Sequence, residues 1–249
     1  MKSLIRRCMI AMCAGFLLMA GAQLRPAEAE SAMILGDILK KTESYYQQVQ
    51  AFTASFSQST TSSAASAMTT EASGKLYYQK PRQMRWEYDK PERQLFIANQ
   101  QLAWLYVPSE NQISLFDAKN FFASPLARTF FDGVAELRKN FEVILDHKQS
   151  TSISAVLKLT PKEEDPNIRS LLLWVDMHNY HILSIETHDA LGNTNRIVLE
   201  SQQGMSHLDP KLFQLEIPPS THVVDMEGRD LSPPEIDKLK QKLLPKQEK

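Results

Sequence analysis

Cysteine is all but missing from this chain: it has two, Cys8 and Cys13, and both stand near its start. Once the N-terminal leader described below is removed, no thiol remains, which excludes disulfides, thiolate nucleophiles and cysteine metal sites. Glycine is scarce as well, with eight in 249 residues, and none of them sits in a phosphate-cradling loop or a G-x-S-x-G nucleophile elbow. The six histidines are scattered, and only His178 and His181 come close, in a turn with Asp176; such turn residues are usually solvated, so no metal site is expected. Carboxylates at Asp89 to Glu92 and Glu163 to Asp165 read as solvated loops, not as an acid-base pair. An excess of positive charge is missing too. Beyond residue 29 the chain has 24 basic side chains against 28 acidic ones, a net of about −4, which argues against nucleic acid and against a polybasic membrane contact. The expectation is a protein without catalysis, cofactor or metal.

What is present begins with a leader. Lys2, Arg6 and Arg7 precede an apolar run from Met9 to Ala22, and Ala27-Glu28-Ala29 has the small-x-small pattern of a leader-peptidase site. The run is short for a membrane span and is followed by Arg25 and Pro26. A secretory signal peptide cleaved after Ala29 is expected, and with it export to the periplasm. Neither cysteine follows a small residue in the way a lipoprotein signal requires.

From Ser31 to Gln50, Ile34, Leu35, Ile38, Leu39, Tyr45 and Val49 recur at helical spacing, which predicts an amphipathic helix that must pack on something. Phe52, Ala54 and Phe56 then alternate with Thr53, Ser55 and Ser57, the pattern of a half-buried strand. The stretch Gly74 to Pro91 reads as two strands around a Lys80-Pro81 corner, with Leu76 and Tyr78 on one face before it and Met84, Trp86 and Tyr88 on one face after it. Short strands separated by turns follow, predicting an antiparallel meander that ends with Leu212 to Ile217. It is interrupted by a helical pair: Ser124-Pro125 opens a segment carrying Leu126, Phe130 and Phe131, and Val134 to Asn140 closes it. Leu171, Leu173 and Val175 are apolar on one face and Leu172 and Trp174 on the other, which a sheet with one wet side would not need. The predicted architecture is α+β, mainly β: a single curved antiparallel sheet, an unclosed barrel of about eleven strands, with an N-terminal helix and a central helical lid over its concave face.

Several segments also resemble the LolA family, periplasmic carriers of outer-membrane lipoproteins. Gly74-x-Leu76, Lys80-Pro81, Trp86 and Pro91 stand at the spacing of its first ribbon. Phe52-x-Ala54-x-Phe56-x-Gln58 is similar to its first strand, Trp104-Leu105-Tyr106-x-Pro108 to its W-x-Y-x-P strand end, Leu159-Thr160-Pro161 to its L-T-P corner, and Phe213 to Pro218 to its last strand. The resemblance covers residues 33 to 224. It implies a lipoprotein-carrier domain over 30–225, between the leader over 1–29 and residues 226–249, whose Pro-Pro start and Ile236, Leu239, Leu243 and Leu244 among lysines read as a C-terminal tail or peripheral helix.

The resemblance implies that acyl chains of lipoproteins are held between sheet and helices. Met84, Trp86, Tyr88, Phe96, Trp104 and Leu173 are the candidate cavity residues, and Leu126, Phe130 and Phe131 the candidate lid. Where the family usually has an arginine latch before the corner proline, this chain has Lys80, which lacks the planar fork of a guanidinium. The implied partners are acylated lipoproteins, an inner-membrane ABC transporter that releases them and an outer-membrane acceptor, with the carrier itself a monomer. Taken by themselves the residues leave open a related module with other cargo, such as a glycolipid carrier or a lipoprotein sensor, and an envelope hydrolase with a dispersed site.

Overall fold

The computed structural model describes residues 26–64, 68–100, 102–123, 134–165, 168–214 and 216–243. Helix α1 (Pro26–Gln48) forms over the stretch of helical period, and it begins on a proline, whose fixed φ suits a first turn. Its buried side chains are Ile38, Leu39, Thr42 and Tyr46, one stripe at spacings of three and four, while Ile34 is exposed. The helix passes straight into β1 (Ala51–Thr61), so the stripe and the first strand meet at a fixed angle.

Six strands then run up and down: β1, β2 (Thr69–Gln79), β3 (Gln83–Lys90), β4 (Gln94–Ala98), β5 (Leu102–Val107) and β6 (Gln112–Asp117). After α2 (Ala118–Ala123) and α3 (Val134–Asn140) a second meander follows: β7 (Phe141–Leu145), β8 (Ser154–Pro161), β9 (Ser170–Asp176), β10 (Ile182–His188) and β11 (Thr194–Met205). The two meanders join through the long antiparallel pair β1–β11, and with β12 (His222–Val224) the order is β12-β6-β5-β4-β3-β2-β1-β11-β10-β9-β8-β7. Its edges, β12 and β7, are not paired with each other, so the sheet is unclosed.

The sheet departs from expectation in two respects. It has twelve strands, not about eleven, and it is not wholly antiparallel, because β12 pairs parallel to β6. The segment expected as a final strand instead forms a 3-10 turn at Pro210–Phe213, where the Asp209 carboxylate accepts from the Lys211 amide. Proline lacks the amide that a ladder needs, so the chain turns there and pairs only later. The expected lid residues Leu126, Phe130 and Phe131 lie outside the described residues.

Alternation along the strands sorts the apolar side chains into two cores. The inner face buries Phe52, Phe56, Leu76, Tyr78, Leu157, Leu171 and Leu173 under α1 and α3. On the outer face Ile97, Trp104, Ile113 and Leu115 are covered by Leu208, Phe213 and Val223 from the C-terminal segment. That segment continues to α4 (Pro233–Leu243), whose Ile236 packs on the same outer core. Its start has the reaching-back half of a capping box: the Ser232 hydroxyl and amide both donate to Glu235 Oε2, at 2.6 and 2.9 Å.

Candidate functional site on the inner face

The glycine in the Gly74 to Pro91 ribbon is required by backbone approach. The β2–β3 register shifts between Ser73 and Gly74, and a Cβ at position 74 would stand 1.8 Å from the Glu87 carbonyl oxygen. Phe56 of β1 and Tyr88 of β3, both opposite Gly74, meet over the bare backbone of β2 with ring centroids 5.0 Å apart. Phe56 also meets Trp86 edge-on at 4.7 Å, and nearer α1 Phe52 stacks on Tyr78 at 5.0 Å. Phe121 of α2 extends the aromatic wall by packing on Phe96. Burial of these rings raises the Tyr88 and Tyr46 phenol pKa values, so both stay neutral hydrogen-bonding groups.

Five of the six candidate cavity residues stand on this face. Met84, Trp86 and Leu173 are buried in it, and Tyr88 and Phe96 are half-buried at its margin. Trp104 points the other way: it is paired with Ile97 on the outer face and is 2% exposed beneath the C-terminal segment. In β5, Ala103 and Leu105 alternate with Leu102, Trp104 and Tyr106, so both faces are apolar and periodicity alone does not choose between them.

Lys80 follows the last residue of β2, and its ammonium donates to the carbonyls of Tyr46 at 2.6 Å and Gln47 at 3.1 Å. These are orphan carbonyls of the last turn of α1, where a cation also meets the negative end of the helix dipole. Burial lowers the Lys80 pKa from its ordinary value, which shows that the ammonium gives up part of its hydration to make the contact. A second tie comes from Tyr46 itself. Its hydroxyl accepts from the Ile182 amide at 3.1 Å, at the point where the β9–β10 register shifts. Because β2 and β10 stand three strand spacings apart, about 14 Å in a flat sheet, this one residue spans the seam between the meanders.

Elsewhere α1 is held by exposed polar contacts, Lys41 to the Tyr180 hydroxyl and Ser31 to His147, while Lys41 also pairs with Asp37 one turn back in the same helix. The Thr42 hydroxyl, buried against the sheet, has no partner among the described residues. Neither Tyr46 nor Thr42 stands out in the sequence, although Tyr46 follows Leu39 by seven residues and so shares its helix face. His181 lies beside the Tyr45 ring, and among the described residues no group of three potential ligands is placed to hold a metal ion.

The arrangement is thus an apolar face under a helix whose last turn is tied to β2 and β10 and whose earlier turns rest on α3 and β7. A family model described as outer membrane lipoprotein carrier protein LolA matches residues 47–216, more than half of the chain. The chain belongs to the LolA family. Among its LolA relatives, the outer-membrane lipoprotein carrier protein of Methylococcus capsulatus is 28% identical over 156 residues, 62% of this chain and 72% of that protein. The corresponding protein of Pseudomonas aeruginosa PAO1 is 24% identical over 204 residues, 82% and 92% of the two chains. An uncharacterized conserved protein from Thermus thermophilus shares the fold, with a TM-score of 0.50, 13% identity and coverage of 77% and 99%. LolA proteins are periplasmic lipoprotein carriers, not enzymes. Strand β12 and helix α4 of this LolA-family chain lie beyond the matched segment. Among the described residues no helix is long and apolar enough to cross a membrane.

Proposed function

We propose that this protein ferries lipoproteins through the periplasm as a monomer, taking them from an inner-membrane ABC transporter and delivering them to an outer-membrane acceptor. In this reading the leader is cleaved after Ala29, and the acyl chains lie on the inner face against Met84, Trp86, Tyr88, Phe96 and Leu173. The cover is α1 together with the segment joining α2 to α3, which carries Leu126, Phe130 and Phe131, and Lys80 is its latch. The supporting observation is the joint between α1 and the sheet: an apolar stripe fastened at its last turn by Lys80 and Tyr46, with a polar orphan, Thr42, in the middle.

Carriage through water requires a dry surface, because each exposed methylene is unfavourable by about 0.8 kcal/mol. A fluorescent diacylated peptide tests the reading directly. The purified protein should take it up from micelles, and Phe130→Glu should abolish uptake while leaving the circular dichroism spectrum unchanged. Failure of the unaltered protein to bind any acylated peptide refutes the carrier reading.

A further inference from the structure

The inner face is not apolar throughout. α1 crosses it near Phe52, at the start of β1, and Thr60 lies eight residues further on, roughly 26 Å along the strand. Beyond Phe56 the character of the face changes. The Tyr88 hydroxyl donates to Gln58 Oε1 at 3.0 Å, and Gln58 Nε2 donates to Asn195 Oδ1 at 2.9 Å. Thr60 Oγ1 donates to the same Asn195 oxygen at 3.1 Å. This row of neutral groups bridges β3, β1 and β11, passing over β2 where Ala72 and Gly74 offer no bulk. Above it lies a hollow of about 270 Å³, lined by Gln58, Thr60, Thr70, Tyr88 and Gln94, with the exposed Glu92 at its rim. No lysine or arginine lines it among the described residues.

We infer that this hollow receives the uncharged ester and amide head of an acylated polypeptide and discriminates against anionic phospholipids. The inference rests on the carrier reading above and adds to it a specificity device. The hollow continues directly from the Phe56, Trp86 and Tyr88 rings, so a chain lying on the apolar face presents its polar linkage here. Amides and hydroxyls both donate and accept, which suits ester and amide carbonyls. A phosphate instead meets the Glu92 carboxylate and finds no cation among the lining residues to neutralise it. At a water-exposed rim one such charge shifts the affinity for an anion by about twofold.

The test compares two probes in one displacement assay: a dipalmitoyl-glyceryl-cysteinyl peptide of neutral sequence and dipalmitoyl phosphatidylglycerol. The ratio of phosphatidylglycerol to lipopeptide affinity should rise about twofold in Glu92→Gln, and further in Gln94→Lys, which places a cation in the hollow. Thermal unfolding of each variant confirms the fold. Binding of both probes with a ratio that neither variant alters overturns the head-group role and leaves the carrier reading standing. Binding of neither probe by the unaltered protein overturns the carrier reading, and this inference with it.

Discussion

Removing the amine from Lys80 while keeping most of its stem, as in Lys80→Met, isolates the tie between the β2–β3 corner and the end of α1. Two charge-assisted hydrogen bonds are lost, one partly buried at 2.6 Å and one exposed at 3.1 Å. A buried bond of this kind contributes about 1.5–3 kcal/mol, and the exposed one adds little. The favourable position at the helix C-terminus adds about 0.3–1 kcal/mol. Against this stands the hydration that the ammonium surrenders, visible in its lowered pKa. A net of about 1–2 kcal/mol follows, which raises the open population of the last turn by about 5–30-fold. Amide hydrogen exchange reads this directly. Val49, whose amide donates to the Tyr45 carbonyl, should exchange faster by that factor. Amides of Leu157 and Leu173, deep in the sheet, should change only with global stability. Lys80→Arg restores donors and should recover most of the protection. Equal protection of Val49 in Lys80→Met and the parent protein would refute the assignment of Lys80 as a fastening of the cover.

Three further outcomes are expected. Gly74→Ala sets a methyl group against the Glu87 carbonyl, which cannot shift without breaking the β2–β3 ladder, so urea unfolding should show a loss of about 3 kcal/mol or more; a loss below about 1 kcal/mol would contradict the close approach. Thr42→Val removes a buried hydroxyl without a partner at nearly constant volume and helix propensity, so it should stabilise the protein by about 1 kcal/mol in the same assay, and a destabilisation would show that the hydroxyl is satisfied in solution. Hydrogen bonds from Ser232 and then from Arg229 pull the Glu235 pKa from 4.5 down to about 2; a carboxylate depressed in this way stabilises α4 above pH 4.5 and loses that effect as pH falls through about 2, so backbone amide shifts of α4 should change over that interval and stay constant in Glu235→Gln.

Much of the architecture is legible in the residue pattern because it rests on local physics. The stripe Ile38, Leu39 and Tyr45 marks α1, and the alternation around Lys80-Pro81 marks β2 and β3 and gives the facing of Met84, Trp86 and Tyr88. The departures have a common origin in long-range packing. Trp104 is a cavity candidate through the family resemblance, and that places it on the inner face. Its actual direction depends on the C-terminal segment covering the outer face, and no local signal carries that. The stretch around Phe213 has strand-like residues, yet Pro210 and Asp209 set a turn first. The polar row of Tyr88, Gln58 and Asn195 joins residues up to 137 apart in sequence, so spacing offers no hint of it.

Under the proposed carrier function, an apolar face already occupied by the protein's own side chains must still be able to exchange them for cargo. Lifting α1 exposes chiefly Ile38, Leu39 and Tyr46, at about 1.5–3 kcal/mol each, or roughly 5–9 kcal/mol together. The polar ties at Lys80 and Tyr46 add about half as much again, on the order of 2–4 kcal/mol. Acyl chains that bury ~20 methylenes contribute on the order of 16 kcal/mol before ordering costs. The two sides are close enough that cargo can displace the cover, and that the cover, closing again, can help expel the cargo to an acceptor. A helix with a continuous Leu stripe and an arginine fork would tilt the exchange toward the empty form. Thr42, without a hydrogen-bond partner among the described residues, and Lys80, a lysine where the family usually has an arginine, weaken the closed joint in the direction the proposed carriage needs.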